Sequence, residues 1–270
     1  MTAIDDNLLE AIIQLAEQAG EKILEMYDKD YTIKCKEDET PLTEADMAAH
    51  YLIEAGLQKI TPEIPILSEE SASIPFEERQ QWQRYWLVDP LDGTREFIKR
   101  NGEFSVNIAL IEGGEAILGV VYAPVMRTSY YARRGAGAFK REPGRPGNPI
   151  HCHSPAREKV IVAGSRSHRG ASLDAFLVNL PDYEIISMGS ALKSCLVAEG
   201  VVDIYPRLGP TSEWDTAAAQ CVVEEAGGRI TDTCMNTLRY NTKDSLLNPH
   251  FFVFGETERD WSVYLAENVN

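Results

Sequence analysis

The chain has 270 residues, 44% of them hydrophobic, and a formal net charge of -16. This length and apolar fraction suffice for one large domain or two closely packed ones, so a globular enzyme is possible. The acidic balance repels polyanions and argues against duplex DNA or long RNA as a partner. The first residues carry neither a basic segment nor an apolar run long enough for a signal peptide or a membrane span. This predicts a cytoplasmic protein without integral membrane contact.

The cysteines predict reduced thiols. They are odd in number, widely separated and without a C-x-x-C pair: Cys35, Cys152, Cys195, Cys221 and Cys234. This pattern suits a reducing compartment and indicates no disulfide framework. The H-C-H run at 151–153 lacks a second pair of ligands, which disfavours a zinc site, and we interpret the run as the start of a strand.

Two helices open the predicted fold. Apolar side chains recur at the helical spacing from Asp6 to Tyr27, which predicts an amphipathic helix. A second helix is predicted to begin at Thr43, where T-E-A-D resembles a capping box with Asp46 in place of the usual Glu. Asp46 is therefore expected in a first helical turn.

Short apolar runs predict strands in the rest of the first half. The runs at 64–67 and 85–88 are each followed by acids, which places carboxylates at the ends of two buried strands. Residues 104–111 and 117–122 flank a turn and predict a β-hairpin, and a further strand is predicted at 128–132. The first half is thus expected to combine helices with an antiparallel sheet.

A segment rich in proline and glycine, 141–155, interrupts these patterns. It is the predicted boundary between an N-terminal α+β domain at 1–145 and a C-terminal α/β domain at 146–270. The second half alternates strands and helices, as is typical of α/β structure. Its predicted elements are a strand at 160–163, a helix at 171–179, a strand at 185–187, a helix at 191–199, a strand at 201–205 and a helix at 214–226.

Two aspartates stand three residues apart at the end of the second predicted strand. Pro90 fixes one backbone angle and Gly93 permits a sharp turn, so the side chains of Asp89 and Asp92 can converge with a carbonyl oxygen between them. Oxygen ligands of this kind suit Mg²⁺, which binds a few carboxylates and keeps water and substrate oxygens. An ordinary D-G turn with solvated aspartates is the alternative that this turn alone leaves open.

Two further acids favour a metal site. Glu69 ends the preceding predicted strand, and Asp215 lies in the first turn of a predicted helix. There Asp215 could equally be a cap or a partner of the helix dipole. Together with Asp89 and Asp92, these residues could hold two cations, which in such sites bind the attacking and leaving oxygens of an in-line displacement.

Separated motifs give the chain a resemblance to a known family. D-P-L-D-G-T at 89–94, W-D-T-A-A at 214–218 and E-E-A-G-G at 224–228 resemble the two signatures of the inositol monophosphatase superfamily. S-E-E at 68–70 and P-L-T-E-A-D at 41–46 match its remaining landmarks. The resemblance spans nearly the whole chain. It implies a layered αβαβα sandwich, combining α+β and α/β parts, and a lithium-sensitive, Mg²⁺-dependent phosphatase.

The resemblance also implies roles for the acids. Glu69, Asp89 and the carbonyl oxygen of Leu91 would bind one metal ion. Asp89, Asp92 and Asp215 would bind a second, and a third, weaker ion would lie near Glu69. Most ligands would thus belong to the first domain and one to the second.

The same resemblance implies that Asp46 and Thr94 form a dyad that orients and activates the attacking water. The chemistry is reasonable, because a hydroxyl backed by a carboxylate can accept a proton from water. Each residue could instead be a helix cap. Capping and catalysis can coexist.

Specificity is expected from the second half. Three polar stretches lie near predicted strand ends or helix starts: S-R-S-H at 165–168, G-S-A-L-K at 189–193 and Y-P-R at 205–207. A helix opening at Ser190 would offer N–H groups to an anion, with Lys193 one turn further on and Arg207 as a bidentate clamp. Each feature also has an ordinary interpretation, as a helix cap, a solvated cation or a surface histidine.

These stretches resemble the 3′(2′),5′-bisphosphate nucleotidase branch of the family, and the resemblance is strong at 85–107 as well. The implied substrate is adenosine 3′,5′-bisphosphate, hydrolysed to AMP and phosphate in sulfate assimilation, with 3′-phosphoadenylylsulfate as a second substrate. The implied substrate pocket consists of Gly93, Thr94, His168, Ser190, Lys193, Arg207 and Asp215.

Two other functions stay open. An inositol monophosphatase would have the same metals with a polyol pocket and little use for Lys193 and Arg207. An inactive regulatory or scaffold protein would lack a metal ligand or the activating threonine, and the chain lacks neither. The resemblance leaves the oligomeric state undetermined and allows peripheral association with the inner face of the cytoplasmic membrane.

Overall fold

The computed structural model describes six stretches of the chain, with only the backbone described at 33–35 and 41–43. These stretches are 4–27, 33–35, 41–153, 159–165, 171–255 and 259–266. Within them, no helix is both long enough and apolar enough to cross a membrane.

The first half contains four helices and nine strands within its described residues. In chain order they are α1 Asp6–Tyr27, β1 Ile33–Cys35, β2 Pro41–Thr43, α2 Glu44–Ile60, β3 Ile66–Ser68, α3 Phe76–Arg79, β4 Arg84–Asp92, α4 Thr94–Ile98, β5 Ser105–Glu112, β6 Glu115–Ala123, β7 Thr128–Arg133, β8 Ala138–Arg141 and β9 Asn148–Ile150.

The second half contains, where described, three helices and five strands. In chain order they are β10 Val160–Ser165, α5 Ala171–Asn179, β11 Tyr183–Met188, α6 Leu192–Ala198, β12 Ile204–Arg207, α7 Ala217–Glu225, β13 Arg229–Asp232 and β14 Phe251–Phe254. Short 3-10 helices lie at Glu69–Ser71, Glu213–Asp215 and Trp261–Tyr264.

Two sheets organise these elements. The larger one has, within the described residues, seven strands in the order β3-β4-β5-β6-β7-β8-β9. Its β3 runs parallel to β4, and the other neighbours are antiparallel. The smaller sheet has the order β11-β10-β12-β14-β13, with parallel pairs around β10 and antiparallel pairs around β14. β1 and β2 pair with each other in an antiparallel ribbon.

The alternation of side chains along the strands divides the core into layers. Helices α1 and α2 pack on one face of the large sheet, where Trp86 and Val88 of β4 point. The opposite face packs on α6 and α7, which also cover the small sheet. Helix α5 covers the outer face of the small sheet through Phe176, against Phe252 and Phe254. Each strand of the two sheets alternates between two buried faces. The result is the layered αβαβα sandwich that the family resemblance implies.

Most predicted elements are present with small changes in their bounds. Helices α1 and α5 have the predicted limits. The helix predicted at 214–226 is interrupted, because a 3-10 helix at Glu213–Asp215 precedes α7. The H-C-H run at 151–153 follows β9 and is not the start of a strand, so that prediction was wrong.

The connection between the two halves differs from the predicted interruption. Strand β9 lies inside the segment at 141–155 and pairs with β8. A division of the chain at 145 and 146 would separate these two strands of one sheet. The two-domain division stays a prediction.

Candidate active site

Strand β3 ends beside β4 at the level of the sheet where the acids begin, and β4 continues through Asp89 to Asp92. In the parallel pairing of β3 and β4, Ser68 is opposite Val88. The next residues along the two strands are Glu69 and Asp89, so the register alone brings these carboxylates to the same level of the sheet. Glu69 starts a 3-10 helix instead of ending the strand as predicted.

A β-bulge sets the direction of the two aspartates on β4. Asp89 is opposite Asn107 and Asp92 is opposite Ser105, so three steps along β4 match two along β5. Residues three apart on a regular strand point to opposite faces. The extra residue of the bulge shifts the alternation of side chains by one position, so Asp89 and Asp92 point to the same face of the sheet.

Asp215 comes from the second half and is held by a capping box. Its Oδ2 accepts a hydrogen bond from the backbone N–H of Ser212 at 2.8 Å, and the side chain of Ser212 caps the 3-10 helix in return. The cap uses one carboxylate oxygen of Asp215, so the cap and the ligand role that the sequence left as alternatives are compatible. The ligand role stays a prediction.

Three of the predicted metal ligands form a compact acidic cluster. Glu69, Asp89 and Asp215 each offer a carboxylate oxygen, and these oxygens lie within 4.8 Å of one another. Asp89 Oδ2 is buried and has no hydrogen-bond partner within the described part of the chain. A buried acceptor without a donor is unfavourable, so this oxygen fits a bound cation.

The electrostatics of the cluster support the same interpretation. Burial, followed by the charges of Glu69 and Asp92, raises the pKa of Asp89 well above its ordinary value. Burial, together with Asp92 and Glu69, raises the pKa of Asp215 to about 8. Carboxylates that repel one another in a buried place are stabilised by a divalent cation between them. All the donors are hard oxygens, which suits Mg²⁺.

Asp92 connects the acidic cluster to the second half. Its Oδ2 accepts from the backbone N–H of Ala191 at 2.6 Å and, more weakly, from Asn107 Nδ2 at 3.4 Å. Helix α6 begins at Leu192, one residue after the predicted start at 191. The Ala191 N–H expected to be available for a substrate anion is thus bound to Asp92. Ser190 itself has a φ of 48°, in the left-handed region that non-glycine residues rarely adopt.

The turn after β4 carries the next predicted residues. Gly93 has a φ of 91° and caps α4, and a Cβ on it would lie 3.3 Å from the backbone oxygen of Glu103. Thr94 is the first residue of α4 instead of its cap, and its hydroxyl donates weakly to the carbonyl oxygen of Leu91 at 3.4 Å. The carbonyl group of Leu91 and the hydroxyl of Thr94 therefore lie beside the acids.

Asp46 lies in the first turn of α2, as predicted, and is buried. Its charge contributes to the raised pKa of Asp89, which puts the two carboxylates within electrostatic range. The pairing of Asp46 with Thr94 in a catalytic dyad stays a prediction.

The two predicted cations are already hydrogen-bonded within the chain. Lys193 is buried, donates to the carbonyl oxygen of Ser190 at 2.6 Å and lies 5.1 Å from the centre of the Tyr205 ring. Burial lowers the pKa of Lys193 to about 8, against the opposing charge of Asp92. Arg207 donates from Nε to Thr211 Oγ1 at 2.6 Å and from Nη2 to the Pro210 carbonyl oxygen at 2.8 Å.

One cavity of about 340 Å³ brings these groups together. Its volume suits a small ligand. The predicted site residues that line it are Glu69, Asp89, Leu91, Asp92, Gly93, Thr94, Ser190, Lys193, Arg207 and Asp215. His168 lies outside the described residues.

The sequence did not single out several residues that shape this cavity. Arg95 and Glu96 line it beside Thr94, and Pro210, Thr211 and Ser212 line it beside Arg207. Ser212 could have been found, because S-E-W-D has the spacing of a capping box. The contact of Asp92 with Ala191 joins residues 99 positions apart, and no local signal predicts it.

Comparison with known proteins agrees with this fold. Residues 5–262 match the model of the inositol monophosphatase family. The chain belongs to this family of metal-dependent phosphatases, and the prediction of family membership is confirmed.

Individual relatives are similar to the chain over most of its length. The chain is 51% identical over 248 residues to the 3′(2′),5′-bisphosphate nucleotidase CysQ of Salmonella typhimurium, covering 91% of this chain and 99% of the relative. It is 38% identical over 265 residues to the protein of the same name from Haemophilus influenzae, covering 97% of each. The crystal structure of CysQ from Bacteroides thetaiotaomicron superposes with a TM-score of 0.82 at 38% identity, covering 94% of this chain and 99% of that one.

Proposed function

We propose that this protein is a divalent-cation-dependent phosphatase that hydrolyses the 3′-phosphate of adenosine 3′,5′-bisphosphate, giving AMP and phosphate. The observation that carries the proposal is a buried acidic cluster in the same cavity as Lys193 and Arg207, in which Asp89 Oδ2 has no donor among the described residues. One ester phosphate would lie at the acids and the other at the cations. Relatives that share half of the sequence and are named bisphosphate nucleotidases support this assignment.

The cation is proposed to be Mg²⁺, with two or three ions bound per site. Glu69, Asp89 and the Leu91 carbonyl oxygen would hold one ion, and Asp92 and Asp215 would complete a second position around Asp89. When bound, the cations supply positive charge for the phosphate oxygens and lower the pKa of the attacking water.

The side chains then have separate tasks. Asp46, at the start of α2, would receive the proton of the attacking water through the hydroxyl of Thr94. In the structure this hydroxyl donates only a weak hydrogen bond, to the Leu91 carbonyl oxygen at 3.4 Å, which the proton transfer would have to replace. Gly93 lets the turn adopt a φ of 91° and pack against the backbone of Glu103, where a side chain would be crowded. The dyad and the turn therefore act on the phosphate that is cleaved.

The second half would hold the phosphate that is not cleaved. Lys193 donates one hydrogen bond to the Ser190 carbonyl oxygen and keeps the other donors of its ammonium group for the substrate. Arg207 holds Pro210 and Thr211 with two of its nitrogens, so its remaining nitrogen is the one that would contact the ligand. Ser190 and His168 are proposed to complete this side.

Finer features follow from the same proposal. 3′-Phosphoadenylylsulfate carries the same 3′-phosphate and would be a second substrate. Removal of adenosine 3′,5′-bisphosphate would serve sulfate assimilation, in a cytoplasmic setting. Li⁺ would inhibit, since it can occupy a magnesium position without matching the charge of the ion it replaces.

The test compares phosphate release from adenosine 3′,5′-bisphosphate and from inositol 1-phosphate, with Mg²⁺, with excess chelator, and with Mg²⁺ plus Li⁺. We expect a strong preference for the nucleotide, no release in chelator and inhibition by Li⁺. Preference for inositol 1-phosphate would keep the metal site and overturn the roles of Lys193 and Arg207. No release from either substrate would favour an inactive protein of the same fold.

A further inference from the structure

A buried histidine joins helix α2 to the strand that precedes the metal cluster. His50 has 4% of its surface exposed, and its Nδ1 forms a hydrogen bond with Ser68 Oγ at 2.9 Å. Ser68 is 1% exposed and is the last residue of β3, directly before Glu69. The bond thus fixes the point from which the Glu69 carboxylate projects.

The hydroxyl of Ser68 bonds to His50 and does not cap the helix that follows it. Ser68 is the N-cap residue of the 3-10 helix that begins at Glu69, and its backbone has the extended conformation of a cap. A serine there normally accepts a hydrogen bond from a backbone N–H of the helix. The side chain of Ser68 makes no such bond. The tertiary contact with His50 has replaced the local one, which indicates that the position of this turn depends on α2.

Helix α2 also carries Asp46, four residues and about one helical turn before His50. Residues four apart lie on the same face of a helix, and both side chains are buried. On the outer side of the ring, Nε2 of His50 faces Glu54 Oε2 at 3.9 Å, one further turn along α2. His50 therefore lies on a line of side chains that runs from the protein surface to the buried Asp46.

We propose that His50 is a positioning residue for the metal centre. Through Ser68 it sets the direction of Glu69, and through α2 it keeps Asp46 at a fixed distance from the same acids. The inference rests on the proposed function, because it treats the acidic cluster as a cation site. It predicts that loss of the His50–Ser68 bond weakens cation binding even where the fold is retained.

The experiment measures cation binding directly. Wild-type protein, Ser68→Ala, His50→Leu and the double variant are titrated with Mn²⁺ and with Mg²⁺ by calorimetry, without any nucleotide. The thermal midpoint of each is measured in chelator. We expect each single variant to weaken cation binding by about tenfold, as is typical for residues that orient a metal ligand. The double variant should be no weaker than either single one, because both remove the same bond.

Two further variants separate positioning from stability. In His50→Asn the side-chain amide lies near the position of Nδ1 and should restore the cation affinity lost in His50→Leu. Thr61→Val is a matched control: Thr61 is fully buried just after α2 and accepts from Trp86 Nε1 at 2.8 Å, also linking α2 to a strand of the sheet. It should lower the thermal midpoint without changing cation affinity.

The outcomes are distinguishable. If the wild-type protein binds neither cation, the proposed metal site itself is wrong. Suppose instead that the wild type binds the cations and that Ser68→Ala and His50→Leu bind them with wild-type affinity, with only a lower thermal midpoint as in Thr61→Val. His50 is then merely structural, and the inference is overturned. Weakened cation binding in both variants, with recovery in His50→Asn, supports it.

Discussion

The active-site cavity has an acidic side, formed by Glu69, Asp89, Asp92 and Asp215, and a cationic side, formed by Lys193 and Arg207. The charged groups of the two sides differ in how far the chain itself supplies their partners. On the acidic side, burial and then the charges of neighbouring carboxylates raise the pKa values of Asp89 and Asp215, and Asp89 Oδ2 lacks a donor within the described residues. On the cationic side, Lys193 and Arg207 already donate hydrogen bonds to their own loops. The acidic side therefore needs a charge from outside the chain. The cationic side is pre-arranged and can bind an anion with little reorganisation.

The largest expected effect is the loss of turnover in Asp89→Asn. Asp89 is shared by both proposed cation positions, and replacement of residues that only orient a metal ligand already costs about 10- to 100-fold. We expect kcat to fall by more than about 100-fold at saturating Mg²⁺. The thermal midpoint in chelator should rise, because one of the repelling charges is removed from a buried cluster.

The control for this prediction is Asp182→Asn, which changes an exposed acid in the turn before β11. It should leave both kcat and the thermal midpoint in chelator unchanged. Full activity of Asp89→Asn in an assay with defined Mg²⁺ would contradict the central role of the acidic cluster. A lower midpoint in chelator would show that the acids do not repel each other in the cation-free protein.

The next effect distinguishes the cationic side from the acidic one. Lys193→Met keeps most of the buried volume and removes the charge. We expect KM for adenosine 3′,5′-bisphosphate to rise about 10- to 100-fold, the value of a hydrogen bond to a charged group. KM for adenosine 3′-phosphate, which lacks the second phosphate, should hardly change. Equal increases for both nucleotides would show that Lys193 supports the site without contacting the second phosphate.

The pH dependence of KM offers a smaller, independent test. Burial lowers the pKa of Lys193 to about 8, so its ammonium group is charged below that pH and loses its proton above it. KM for the bisphosphate should therefore rise as the pH increases beyond about 8, by up to about tenfold over the next pH unit. Steady-state rates at fixed free Mg²⁺ provide the measurement. Lys193→Met should lack this rise, and its persistence in that variant would assign the titration to another group.

Some features of this arrangement were predictable from the sequence because they depend on local patterns. The acids at 89 and 92 follow the apolar run at 85–88, and the helical spacing from Asp6 to Tyr27 predicts α1 with its observed bounds. Glu69 and Asp89 could be expected together, since both follow the ends of short buried strands. These predictions needed only strand periodicity and the chemistry of turn residues.

Other features could not be predicted because they arise from register and long-range contact. The bulge that turns Asp89 and Asp92 to one face depends on the pairing of β4 with β5. The Ala191 N–H, expected to be available for a substrate, is bound to Asp92 because the two halves meet there. Strand β14 is an exception: F-F-V-F is a local apolar run of four, and the sequence analysis missed it although the strand pairs with both β12 and β13.

The smallest expected effect concerns how Arg207 holds its loop. Lysine keeps the positive charge but lacks the planar group that donates to both Thr211 and Pro210. We expect Arg207→Lys to raise KM for the bisphosphate by about fivefold, the value of roughly one neutral hydrogen bond, with kcat nearly unchanged. Arg229→Lys, an exposed position on β13, is the control and should have no effect. A fall in kcat without a change in KM would mean that the loop acts on Asp215 and the cleaved phosphate, and the separation of the two sides of the cavity would have to be abandoned.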